Sequence, residues 1–79
     1  GSIDVAKLGL LYDKASEEDF KNQVIFVLSQ KGKSPEAVDK LIDIAKNEKN
    51  KELRKQAIFW LSQSRDPRAA KLLMDIINK

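Results

Sequence analysis

Cysteine and histidine are both absent from the 79 residues of this chain. Without cysteine there is no disulfide and no thiolate metal site. Without histidine the commonest general base and the commonest metal ligand are lost together, and zinc would have to be held by carboxylates alone, an unusual set for that ion. Three glycines are scattered, so no Gly-rich phosphate loop is present. The longest unbroken apolar run is five residues, far short of a membrane span. No signal peptide is recognisable. The compartment stays open, with the cytoplasm favoured.

What is there is a soluble globular composition: 42% hydrophobic and 34% charged residues. Fifteen basic and 12 acidic residues leave a net charge of +3, mildly basic and well below the density of a nucleic-acid arm. A chain of this length is one domain or part of one, near the lower limit for folding without staples. Gly1-Ser2 reads as a remnant of expression and is set aside.

An internal repeat organises the rest. Gln23-Val24-Ile25-Phe26-Val27-Leu28-Ser29-Gln30 returns as Gln56-Ala57-Ile58-Phe59-Trp60-Leu61-Ser62-Gln63, six of eight positions identical at an offset of 33. Pro35 to Ile44 returns as Pro67 to Ile76 at an offset of 32, matching at Pro, Ala, Leu, Asp and Ile. The residue lost between the two blocks falls in a turn, where an indel costs least. Val5, Lys7, Leu8 and Leu11 align with Val38, Lys40, Leu41 and Ile44. The frame is therefore the second helix of a truncated repeat (3–15), then full repeats over 16–48 and 49–79, and we expect the chain to begin inside a longer array.

Every segment has helical signals. The first helix is expected from Ile3 to Lys14. The second follows Ser16 as N-cap, with Glu17, Glu18 and Asp19 in its first turn, and ends at Lys31 before a C′ glycine, Gly32. The third opens at Ser34-Pro35, a cap followed by proline at the first helical position. Ala37, Val38, Leu41, Ile42, Ile44 and Ala45 then recur on one face. The fourth opens after Asn50 and runs to about Ser64. The fifth opens at Asp66-Pro67 and runs to about Asn78. No stretch alternates with the period of a strand. One helix pair cannot cover its own apolar stripe, so pairs must stack into a common core.

Asn50-Lys51-Glu52-Leu53-Arg54-Lys55-Gln56-Ala57-Ile58-Phe59-Trp60-Leu61-Ser62-Gln63-Ser64-Arg65-Asp66-Pro67-Arg68-Ala69-Ala70 resembles the short bacterial HEAT repeat, as found in phycobilisome lyases and many scaffolds. That pattern has aliphatic-Arg, Ala and Leu four apart, Gly/Ser-x-Asp-Pro, and an alanine-led second helix. The resemblance implies an all-α fold, a right-handed α-α superhelix of five antiparallel helices in two and a half repeats. It also implies a ladder of paired arginines and aspartates. Arg54 and Asp66 fit that ladder, whereas Lys21 and Lys33-Ser34 depart from it. Nothing in the chain resembles a chromophore site.

Among individual residues, Trp60 falls in register with Leu53, Ala57 and Leu61 and is expected to pack in the core. Phe26 and Phe59 recur one residue off that stripe. They serve either inter-repeat packing or a partly exposed docking strip. Asp39 and Asp43 lie four apart on one face, but flanking Lys40 and Lys46 mark an ordinary solvated surface rather than a catalytic pair.

In HEAT arrays the second helices line the concave side. The resemblance thus points to Glu36, Asp39, Lys40, Asp43 and Lys46, and then Arg68, Lys71, Leu72 and Asp75, as exposed there. Candidate partner-binding residues are Glu36, Asp39, Lys40, Asp43, Arg68, Lys71, Leu72 and Asp75, a mixed surface suited to a protein with both charge signs. Leu72, Leu73, Met74, Ile76 and Ile77 make the last helix more apolar than a capping repeat, so at least one end is expected to bury itself against another molecule, a continuation of the array or a second copy end to end.

The expected function is a protein–protein interaction or scaffolding module, with no enzyme activity, cofactor, metal or membrane contact. The alternative is nucleic-acid binding through the basic run Lys46 to Lys55, as in HEAT-like DNA glycosylases, although Glu48 and Glu52 interrupt it. If that edge binds DNA, affinity falls with salt and weakens on Lys49→Glu or Lys51→Glu. An anisotropy titration across salt concentrations that finds no binding eliminates it.

Overall fold

Four of the five helix starts carry a recognisable cap or its proline. The computed structural model describes residues 4–31 and 34–78. Among them the helices are α1 (Val5–Lys14), α2 (Glu18–Gln30), α3 (Pro35–Asn47), α4 (Lys51–Ser62) and α5 (Pro67–Ile77), and no strand is present. Asp4, Ser34, Asn50 and Asp66 each accept a backbone N–H of the first turn with the side chain, relieving donors that have no partner inside the helix. Pro35 and Pro67 stand at the first helical position, where a missing N–H costs nothing.

The start of α2 differs from expectation. Its N-cap is Glu17, not Ser16, and no side chain caps it. Glu17 sits 33 residues before Asn50, the N-cap of α4, so the start is set by the same repeat register even though the glutamate does not reproduce the asparagine's hydrogen bonds. Glu18 and Asp19 in the first turn still favour the positive end of the dipole. Helix α4 ends at Ser62, two residues earlier than the periodicity implies. The expected C′ glycine Gly32, Lys33, and the Gly1-Ser2 and Ile3 positions lie outside the described residues.

Helices α2 and α3 form one antiparallel hairpin and α4 and α5 the next, with α1 beside both α2 and α3. The α3–α4 contact is the most extensive, and α2 also packs on α4, so neighbouring hairpins share one core. Val24, Ile25 and Leu28 of α2, Ala37, Val38, Leu41 and Ile44 of α3, and Leu53, Ala57 and Leu61 of α4 are all buried. Leu8 and Tyr12 close this core at one end, and Ala69 and Leu72 at the other. The two matching segments fold alike even in detail. Ser29 Oγ donates to the Phe26 carbonyl and Ser62 Oγ to the Phe59 carbonyl, each at 2.5 Å, and Gln30 and Gln63 each donate to the preceding serine at 3.4 Å.

Trp60 packs against the core as expected, though partly rather than fully buried. Phe26 and Phe59 are about half exposed, and both meet the Trp60 ring edge-on, at centroid distances of 5.8 and 5.0 Å. The aromatic strip thus lies on the outer side of α2 and α4, anchored by the tryptophan.

Core and strip separate in one measurement. Leu28→Ala is expected to cost about 2 to 5 kcal/mol, against a total of about 5 to 10 kcal/mol for a domain of this size. Phe26→Ala, two residues away and half exposed, is expected to cost about 1 kcal/mol. Urea unfolding of the two variants checks the ranking.

Candidate functional site

The exposed faces of α3 and α5 carry the predicted partner-binding residues, and the structure sorts them into three groups. Glu36, Asp39 and Asp43 project from α3, and Arg68, Lys71 and Asp75 from α5, all exposed. Glu36 accepts from Ser34 Oγ at 2.7 Å, and that bond holds its carboxyl below the usual range. Lys71 and Asp75 have no ion-pair partner among the described residues and are the charges most available to another molecule.

Arg68 is already engaged. Its guanidinium lies 3.1 Å from Asp66 Oδ2, donates to the Pro35 carbonyl at 3.2 Å, and pairs with Asp39. The hydrogen bond from Arg68 is the main cause that lowers the Asp66 carboxyl and raises the guanidinium. Arg68 and Asp39 therefore tie α5 to α3 across their exposed side. Such solvated pairs position side chains more than they stabilise. Asp66 is consumed by Arg68, and Arg54 makes no ion pair among the described residues, so the arginine–aspartate ladder does not form.

Two of the predicted exposed residues are not exposed. Leu72 is only 5% exposed. Lys40 is half-buried, its ammonium 2.6 Å from Asp13 and 3.3 Å from Asp43. The reason is shared. They occupy the same repeat position, 32 residues apart, and that position leans on the preceding second helix. The Lys40 stem lies over Gly9 of α1, where a Cβ would sit 3.6 Å from its Cδ and Cε. Leu72 lines grooves with Ile42 and Ala45 of α3. A long lysine stem and a leucine fill the same gap, the lysine keeping its charge at the rim.

The best-organised polar cluster was not foreseen. The only tyrosine, Tyr12, is 5% exposed, and its hydroxyl donates to Glu48 Oε1. Lys21 Nζ lies 3.5 Å from the same oxygen and 5.0 Å from the Tyr12 ring centroid, and Lys40 Nζ stands 5.5 Å from that centroid. Glu48 Oε2 accepts the Asn50 N–H at 2.9 Å, and Asn50 Nδ2 donates to Glu18 at 2.6 Å. One cluster thus joins α1, α2, α3 and the turn into α4. Burial, with the bond to Glu48 and that carboxylate's charge, pushes the Tyr12 phenol well above its ordinary range. Burial also pushes Glu48 up, but the Asn50 N–H, the Tyr12 hydroxyl and Lys21 outweigh it, and the carboxyl is net lowered. The one clue in the sequence is a mismatch of size, because Tyr12 aligns with Ala45.

The basic run does not form a uniform edge. Lys46, Lys51, Arg54 and Lys55 rim a groove of about 530 Å³ whose floor is apolar, with Ala45, Ile58, Leu72 and Ile76. Among the described residues no group of three or more acidic side chains is arranged to hold a metal ion, and no helix is long and apolar enough to cross a membrane.

A family model for HEAT repeats matches residues 5–79, the span of both hairpins and α1. The chain belongs to the HEAT-repeat family. No curated protein and no solved structure matches it significantly. For this HEAT-repeat protein the family match covers both hairpins and α1 together.

Because the Glu48 carboxyl is lowered on folding, its contribution is present above the ordinary glutamate range and is lost as pH falls through the folded value. Glu48→Gln is expected to cost about 1.5 to 3 kcal/mol at neutral pH, the worth of hydrogen bonds to a charged acceptor. That gap is expected to be smaller at about pH 3, below the ordinary glutamate range. Urea midpoints of both proteins at the two pH values check it, and a gap that does not change with pH contradicts the assignment.

Proposed function

We propose that this chain is a protein–protein interaction or scaffolding module within an array of HEAT repeats, partitioned as a second helix (3–15) and two full repeats (16–48 and 49–79). HEAT repeats generally mediate such contacts and are typically non-enzymatic. The observation that carries the reading to particular residues is the exposed α3–α5 face, where Glu36, Asp43, Lys71 and Asp75 present both signs of charge within one surface. The Asp39–Arg68 pair braces that surface and Lys40 backs it, so a partner meets a face held in position before it arrives.

This surface suits a protein with its own mixed charges. We also read the apolar α4–α5 end as a contact surface, in line with the expectation that an end of the chain buries itself against a neighbour. Interleaved Glu48 and Glu52 work against a polyanion on the basic run.

Affinity capture from cells, followed by titration with the recovered partner, tests the α3–α5 assignment. Lys71→Glu with Asp75→Lys is expected to weaken binding about tenfold, and raising the salt concentration is expected to weaken the unmodified chain in the same way. Circular dichroism should be unchanged, since both side chains are exposed. Unaltered affinity in the double variant would remove this face from the interface.

A further inference from the structure

Where α2 and α4 end beside each other, a cleft of about 650 Å³ opens between the two hairpins. Its floor is apolar. The core residues Val38 and Leu41 of α3 and Leu61 of α4 line it, together with half-buried Trp60. Helix α4 already packs on both α2 and α3. The walls therefore come from both hairpins, and the cleft is a junction between repeats that are present, not a bare end of the row.

The charges around it have one sign. Lys31 caps the end of α2, Arg65 stands in the turn from α4 to α5, and both line the cleft. Neither makes an ion pair among the described residues, and among them no carboxylate lines the cleft. Asp66, next to Arg65 in sequence, is held by Arg68 instead. Gly32 and Lys33, which follow Lys31, add no acid. Two cations beside an apolar floor suit an anion with an apolar body, because a bare inorganic anion leaves the floor wet and a hydrocarbon leaves the cations unmatched.

We propose that this cleft binds a small organic anion, a carboxylate on an aliphatic or aromatic body. The body lies on Val38, Leu41 and Leu61 against Trp60, and the carboxylate meets Lys31 and Arg65. The volume falls within the range of small-ligand pockets, about 300 to 1,000 Å³. A protein partner typically buries about 800 Å² on each side, more surface than a cleft between two helix ends offers. None of the residues assigned to partner binding on α3 and α5 lines the cleft, so this site is separate from that face.

The probe is octanoate, titrated against the full chain. Trp60 is the one tryptophan in the sequence, so its emission reports on the cleft directly. A saturable change in that emission is expected with a Kd of about 1 mM or below, and with amide chemical-shift changes gathered at residues 29–31, 38–41 and 60–65. Octanamide, the same chain without the charge, is expected to bind about tenfold more weakly. Lys31→Glu with Arg65→Glu is expected to weaken octanoate at least about tenfold and to turn the preference to octylammonium, with the helical signal intact. Lys51→Glu with Lys55→Glu, on the rim of the other groove, is expected to leave octanoate binding unchanged. No saturable change up to about 10 mM octanoate, equal affinity for octanamide, or equal octanoate affinity in the Lys31 and Arg65 double variant overturns the proposal. Loss of binding in the Lys51 and Lys55 variant places the ligand on the α4–α5 groove and overturns it too. So does a glutamate-rich peptide that shifts the same amides where octanoate does not, which gives the cleft to a protein segment.

Discussion

An apolar stripe on a two-helix hairpin has no inside of its own. In this chain Leu28, Val38, Leu41 and Leu61 leave water because successive hairpins lean on one another, and the extensive α3–α4 contact is where that happens. The other features follow from this constraint. Helix starts fall in the repeat register even when the local cap is poor, as at Glu17. The second helices are held side by side, which spreads their charges over one continuous face. Ile76 and Ile77 of α5, whose counterparts Ile44 and Ala45 are buried between hairpins, are exposed.

Polar contacts refine the stack rather than create it. Around Tyr12, two lysines lie by an aromatic ring and a carboxylate accepts from the ring's hydroxyl and from a backbone N–H. This joins α1, α2 and α3 to the turn that begins the next hairpin. On the other side, Arg68 reaches from α5 to Asp39 and the Pro35 carbonyl of α3. The ladder of the wider family is replaced by these two individual solutions. Charges tied into the scaffold are thereby separated from exposed ones that make no ion pair among the described residues, such as Lys71 and Asp75.

Two adjoining surfaces result, with different chemistry, and Asp75 lies on both. The α3–α5 face is polar and of mixed sign, suited to recognition by complementary charge. The α4–α5 end is an apolar floor inside a mostly basic rim. The aromatic strip of Phe26 and Phe59 lies apart from both and is steadied by Trp60.

Much of this was legible from residue order alone. The offsets of 33 and 32, the caps at Ser34, Asn50 and Asp66, and the stripes at helical spacing determine the helices, their pairing and the family, because these are local or periodic properties that each segment carries by itself. The place of Phe26 and Phe59 one residue off the stripe left inter-repeat packing and an exposed strip both open, and the structure shows both rings about half exposed and edge-on to Trp60. The candidate site was only partly legible. Lys40 and Leu72 lie on the predicted face by their spacing, yet both turn into the gap beside the preceding helix, and the width of that gap depends on small residues such as Gly9 on another element. The Tyr12–Glu48 hydrogen bond joins residues 36 apart. Periodicity sets which way a side chain points from its own helix. What it meets there depends on how closely a neighbouring helix approaches, and that distance was decided only when the hairpins packed.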